Sequence, residues 1–150
     1  MELYTQIAAL PYIFIKDELK VCLITTRETR RLVIPKGWPK IGVPSYEMAA
    51  IEAKEEAGLI GSIDKKSIGT YNYKKRLHIF ARITCEVKIY PLKVDQQLID
   101  FPEKTQRTLH WLTIKEAAEK VSEADFAKLL LSLEHNPNGV IRVSEKLCVS

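Results

Sequence analysis

The sequence predicts an α/β fold: an α/β/α sandwich whose mixed, partly antiparallel sheet lies between one internal helix and two C-terminal helices. Three observations carry this. Runs rich in Ile, Leu, Val, Phe and Thr fill the start and the middle of the chain; a breaker-free helical stretch interrupts them at Ser45 to Ala57; two capped helical stretches follow Leu112.

The elements follow in order. Gln6 to Ile15 and Val21 to Thr26 have strand composition, and the polar break Lys16 to Lys20 reads as their hairpin connection. Within it Lys16-Asp17-Glu18-Leu19 spells an endoplasmic-reticulum retention signal, which acts only at a C-terminus, so it reads as a hairpin tip. A short strand, Leu32 to Ile34, ends at Pro35. From Pro35 to Pro44 three prolines and two glycines mark an ordered loop. Ser45 to Ala57 follows with good helix formers, and Gly58 stands where a left-handed C-terminal cap belongs. Further strands are expected at about Ile68 to Tyr73, Leu77 to Tyr90 and Thr108 to Leu112. Thr113 with Glu116 makes a capping box and Ser122 with Asp125 an approximation of one, opening helices at about 114–121 and 123–134. Beyond Glu134 an Asn136-Pro137-Asn138-Gly139 turn leads to a tail in which Val140 to Val143 could add an edge strand.

The 150 residues, 46% of them hydrophobic, suit one domain over 1–150, with a core at about 5–134 and a tail at 135–150. A net charge of +4 favours an anionic small molecule over nucleic acid, because the basic residues lie in scattered clusters without the continuous stripe and interleaved aromatics of a nucleic-acid groove. Cys22, Cys85 and Cys148 are odd in number and far apart, arguing against a disulfide framework or a zinc site and for reduced cytoplasm; His78, His110 and His135 have no metal spacing. No run is long and apolar enough for a membrane span and no signal peptide is legible, so no membrane partner is expected. A monomer and a homodimer are both compatible with the sequence.

The helix at Ser45 to Ala57 contains a local conflict. Glu52, Glu55 and Glu56 fall within a sector of roughly 100°, while Tyr46, Ala50, Ala53 and Ala57 take the other side. Glu52 and Glu56 are a like-charged i,i+4 pair, and Glu55 and Glu56 face the negative helix end, each effect costing roughly 0.2 to 1 kcal/mol. A bound divalent cation reverses both signs, since clustered carboxylate oxygens suit Mg²⁺. For a Glu-rich helix taken alone a solvated acidic face is the more ordinary reading, and spacing alone does not settle between the two.

The stretch from Gly37 to Leu59 resembles the Nudix box, written G, five residues, E, seven residues, R-E-U-x-E-E-x-G-U with U aliphatic. Gly37 matches the first glycine, Glu52 the first helix acid, Ala53 the U position, Glu55 and Glu56 the acidic pair, and Gly58 and Leu59 the close. Val33 to Gly37 is similar to the family's approach to its box, and Trp111-Leu112-Thr113 with Glu116-Ala117-Ala118 to the segment after its last core strand. The resemblance spans roughly residues 5 to 134. Two positions depart: Val43 stands where the family has a loop Glu and Ile51 where it has the Arg, two groups that commonly pair in the family. Loss of both partners of an ion pair strands no charge, and an apolar Val43–Ile51 contact is expected in its place.

The resemblance implies a hydrolase acting on acid anhydrides in phosphorus compounds, with Mg²⁺, or Mn²⁺, held by Glu52, Glu55 and Glu56 and helped by the Gly37 carbonyl. Glu103 lies where family members often place a further acidic ligand. Glu52 is the first candidate for base or water-positioning group and Glu56 the second. Arg31 and Lys36, flanking the strand into Gly37, with Arg27 and Lys40, are candidate phosphate-binding cations; Lys74, Lys75 and Arg76 form a second cluster. Tyr71 and Tyr73 share one strand side, where one could stack on a base while the other packs in the core. The run from Thr26 to Gly37 is similar to the branch acting on diphosphoinositol and diadenosine polyphosphates. The alternative is a catalytically weak Nudix-like module that binds a nucleotide or inositol phosphate as a sensor.

Overall fold

A computed structural model describes residues 3–135 of the chain; the expected turn at Asn136 to Gly139 and strand at Val140 to Val143 lie outside the described residues. Strands β1 (Leu3–Ile15) and β2 (Glu18–Thr25) form an antiparallel hairpin. Its tip residues, Lys16 and Asp17, both take positive φ, 50° and 68°, a conformation whose twist matches that of the flanking strands. Strand β3 (Leu32–Val33) pairs with the end of β2. The segment after Pro35 is not wholly loop: β4 (Lys36–Gly37) pairs with Ile7 and Ala8 of β1. A two-residue strand has no periodicity to read, so only its partner reveals it.

Helix α1 spans Ser45–Ala57 and ends at Gly58, whose φ of 68° and ψ of 22° make the expected left-handed cap, its N–H reaching the Ala53 and Lys54 carbonyls. Strand β5 (Leu59–Ile63) starts directly after that cap and has an irregular register at Ile60 and Gly61. The composition gave no strand there. β6 (Gly69–His78) and β7 (Ala81–Gln97) are the arms of one long hairpin. Its turn falls at Ile79 and Phe80, inside the apolar run expected to be continuous strand. β8 (Leu109–Thr113) leads into α2 (Ile114–Lys120) through a complete Thr113–Glu116 capping box, and α3 (Ala124–His135) follows. Ser122 and Asp125 do not form the second box. The Asp125 carboxylate instead accepts from the Asn72 N–H at 2.8 Å and from the Phe126 N–H at 3.0 Å, tying α3 to β6.

The sheet runs β3-β2-β1-β7-β5, with β4, β6 and β8 branching from β1, β7 and β2. Among the described residues only β1 and β7 pair in parallel, so the sheet is mixed. Alternation along the strands sorts the core into two layers. Ala8, Leu10, Tyr12, Val21, Leu23, Val87 and Ile89 join Phe126, Leu130 and Ile114 from α2 and α3 on one face. Ile7, Ala9, Cys22, Ile24, Tyr90 and Leu92 join Met48, Ala49, Ala53 and Ala57 from α1 on the other. Helices on both faces make the expected sandwich.

Candidate active site

β1 pairs with β2 only over Tyr12–Ile15, while β4 occupies β1 at Ile7 and Ala8 and β3 holds the far end of β2. The short strands therefore wedge apart β1 and β2, and a cleft of about 390 Å³ opens beside them, lined among others by Gln6, Thr26, Lys36, Gly37, Glu56 and Arg107. That volume lies in the range of small-molecule sites.

The acids reach this cleft because α1 packs closely. Ala49, Ala53 and Ala57 are fully buried against the sheet, so the adjoining turn carries Glu56 into the cleft lining, while Glu52 is not part of that lining but meets Glu56 and the lining residue Gly37. At Gly37 an added Cβ would lie 2.2 Å from Glu52 Oε1. The glycine is thus the space in which the Glu52 carboxyl sits. Glu56 is only 6% exposed. Burial, then the hydrogen bond with the Glu52 side chain, pushes its carboxyl up to about 9; Arg107 acts in the opposite direction and does not win. The Arg107 guanidinium is shared: Nη2 lies 2.8 Å from Glu103 Oε1 and 3.3 Å from Glu56 Oε1, and Nη1 donates to the Thr25 carbonyl at 3.1 Å.

Glu55 stands apart, with its side chain exposed and outside the cleft lining. Its backbone carbonyl accepts from the Glu103 N–H at 3.1 Å, which fastens the loop before β8 onto α1. Among the described residues no three His, Cys, Asp or Glu side chains converge as a ready-made metal cluster. Glu52 and Glu56 nevertheless form an oxygen-only donor pair in contact, seated over a glycine. Two carboxyls so placed ionise together only with a cation between them, so this donor set fits a hard divalent ion.

The opposing side of the cleft is basic. Lys36 is half-buried, its Nζ 5.3 Å from the centroid of the Tyr73 ring. Burial lowers its pKa; Glu56 and Glu123 raise it, and Lys75 and Arg107 lower it further. Arg27, Arg31 and Lys75 also line the cleft. The turn bearing the two arginines is organised by Thr26, whose Oγ1 accepts from the N–H groups of Thr29 (3.2 Å) and Arg31 (3.1 Å), with Arg30 at φ 57°. Lys40 is exposed in the β4–α1 loop, outside the lining. Tyr71 lines the cleft but is buried and stacked on Phe126, with centroids 4.4 Å apart and planes at 12°, so a ring face serves the core. The Tyr73 hydroxyl donates to Gln6 Oε1.

Val43 packs against the α1-side core. Ile51 is exposed and lines a shallow groove with Lys54, Ile60 and Leu92. Neither lines the cleft.

Sequence reasoning missed Arg107, Gln6 and Glu123. Arg107 follows Glu103 by four residues, an acid-to-base spacing that can signal a pair, but it lies in a segment without regular structure. Gln6 lies inside β1 and Glu123 just before α3, where nothing in the pattern marks them.

No family model matches the chain. It is 35% identical over 104 residues to "Nudix hydrolase 16, mitochondrial" of Arabidopsis thaliana, covering 67% of this chain and 57% of that protein. It is 31% identical over 106 residues to "Nudix hydrolase 12, mitochondrial" of the same plant, covering 69% and 52%. The chain thus spans little more than half the length of these curated relatives. Among solved structures, a C. elegans Ap4A hydrolase binary complex superposes with a TM-score of 0.67 at 15% identity, over 91% of this chain and 98% of that one. The NUDIX domain of Shewanella oneidensis NrtR, complexed with ADP ribose, superposes with a TM-score of 0.63 at 10% identity, over 88% of both.

Proposed function

Because this chain belongs to the Nudix hydrolase family, we propose that its cleft hydrolyses a phosphoanhydride bond in a nucleoside diphosphate derivative, a diadenosine polyphosphate or a diphosphoinositol polyphosphate. The observation that carries the reading is the Glu56 carboxyl, hydrogen-bonded to that of Glu52, meeting Lys36, Arg27, Arg31 and Lys75 around one cleft. Such a site binds anionic oxygens on one side and receives protons on the other.

Glu52 and Glu56 are the residues that would hold Mg²⁺ or Mn²⁺, with the Gly37 backbone and Glu103 as further oxygen donors; Glu55, exposed and outside the cleft lining, would join them only by turning its side chain inward. When bound, the cation supplies neutralisation of phosphate oxygens and activation of water. The chain's own groups do the rest. Arg31 and Arg27 offer planar forks to phosphate oxygens, and Lys36 and Lys75 offer point charges. Glu52, the more exposed of the acid pair, takes the water's proton or positions that water, with Glu56 the second candidate. The water oxygen forms a new P–O bond as the bridging P–O bond breaks, and two phosphate-bearing products leave.

Product analysis with a panel of diphosphates, in Mg²⁺, Mn²⁺ or EDTA, tests the reading. Turnover that EDTA abolishes is expected. Tight binding of a nucleotide or inositol phosphate without turnover in any metal would make the chain a sensor instead.

A further inference from the structure

The hairpin of β6 and β7 ends in a tip that neither core layer absorbs. Leu77, Ile79 and Phe80 are 54%, 71% and 91% exposed, and none packs against either apolar cluster. Charge beside them is uniformly positive. Lys74, Arg76 and Arg82 are exposed and make no ion pair among the described residues, and no Asp or Glu occurs between Lys74 and Cys85. Arg76 and Arg82 are register partners across the hairpin. Their side chains therefore leave the same face of the ribbon and repel each other, and Lys74, two residues along, shares that face. Lys75 alternates to the other side and lines the cleft.

An exposed apolar tip and a like-charged pair both cost free energy in water. Both costs reverse at a surface that is apolar within and anionic outside. We propose that this tip docks the protein on an anionic bilayer, with Leu77, Ile79 and Phe80 entering the headgroup and upper acyl region while Lys74, Arg76 and Arg82 meet lipid phosphates. A second copy of the chain is the poorer occupant. Two tips would bring arginine against arginine, and a short turn offers far less than the roughly 800 Å² per partner of a stable interface. No helix among the described residues is long and apolar enough to cross a membrane; the contact is peripheral and revises the expectation of no membrane partner, which considered only spans. It stands independently of the chemistry in the cleft.

Co-sedimentation of the full chain with phosphatidylcholine vesicles, alone or with about 30% phosphatidylglycerol, at low and high salt, tests the proposal. Binding is expected only to the anionic vesicles, weakened several-fold by salt. It should fall about tenfold or more in Ile79→Ser/Phe80→Ser and in Arg76→Ser/Arg82→Ser, both keeping wild-type circular dichroism and melting temperature. Equal partitioning of wild type and Ile79→Ser/Phe80→Ser overturns it, as does equal binding to neutral vesicles. A concentration-dependent dimer lost in Ile79→Ser/Phe80→Ser, without vesicle binding, overturns it in favour of a second copy. Binding of inorganic polyphosphate alone, indifferent to the apolar substitutions, overturns it in favour of a soluble polyanion.

Discussion

Arg107 holds three groups from three parts of the chain: Glu56 on α1, Glu103 on the preceding loop and the Thr25 carbonyl at the end of β2. Its side chain and that of Glu56 are nearly buried, so Arg107→Met leaves both acids without their shared cation. Equilibrium urea unfolding should show a loss of about 2 to 4 kcal/mol. Arg107→Lys should recover less than half of it, since one ammonium cannot span a fork's three partners. Glu56 itself gives a pH signature. Its carboxyl is raised from 4.5 to about 9 in the fold, so the folded state binds that proton more tightly than the unfolded chain. The resulting stability is fully present below pH 4.5 and drains away as pH rises toward 9. In EDTA the melting temperature should drop by more than about 4 °C between pH 5 and pH 9, and Glu56→Gln, which mimics the protonated acid, should lose most of that slope. Equal slopes in the two proteins would remove burial of Glu56 as the cause. At Gly37 the conflict is steric: a methyl group enters the space of the Glu52 carboxyl. Because a side-chain end can swing away, Gly37→Ala should melt near wild type yet lose tenfold or more in kcat, on the order of what displacing a reacting group costs.

At the scale of elements, legibility depended on length and on local chemistry. The β1–β2 hairpin, α1 with its Gly58 cap and the Thr113–Glu116 box could all be read, because turn residues, helix formers and capping side chains are properties of neighbouring residues. β4 and β5 could not. Their existence rests on pairing with Ile7–Ala8 and with the distal part of β7, contacts that no local pattern encodes. The β6–β7 turn was misplaced because Leu77, Ile79 and Phe80 have strand composition while standing in solvent. The capping box allows a prediction confined to its own element. Thr113→Ala removes the hydroxyl that accepts from the Glu116 N–H at 3.1 Å, and should cost about 1 kcal/mol, or roughly 2 to 4 °C in melting temperature. Thr113 does not line the cleft, so KM should stay at its wild-type value.

Across the whole molecule, the sandwich explains how distant residues meet. Glu56 arrives on α1 from one face of the sheet, Glu123 from the segment before α3 on the other, and the cations from β4, β6 and the turn after β2. Of the residues the box spacing singles out, Gly37 and Glu56 line the cleft, and that spacing is legible because it lies within one continuous stretch. The cleft's remaining members come from places brought together only by the mixed topology, which is why Arg107, Gln6 and Glu123 were missed while Lys36 and Arg31 were found. The sequence also proposed Lys40, which the fold leaves outside the lining; a loop lysine near the box in sequence need not be near it in space. Everything proposed for the cleft requires the Glu52–Glu56 pair to be a reaction centre and not merely a buried acid pair. Steady-state kinetics of wild type and Glu56→Gln on one hydrolysed diphosphate at saturating Mg²⁺ measure it most directly. A fall in kcat of about 100-fold or more with an intact fold is expected; an unchanged kcat in a folded Glu56→Gln protein would leave the pair a merely structural feature.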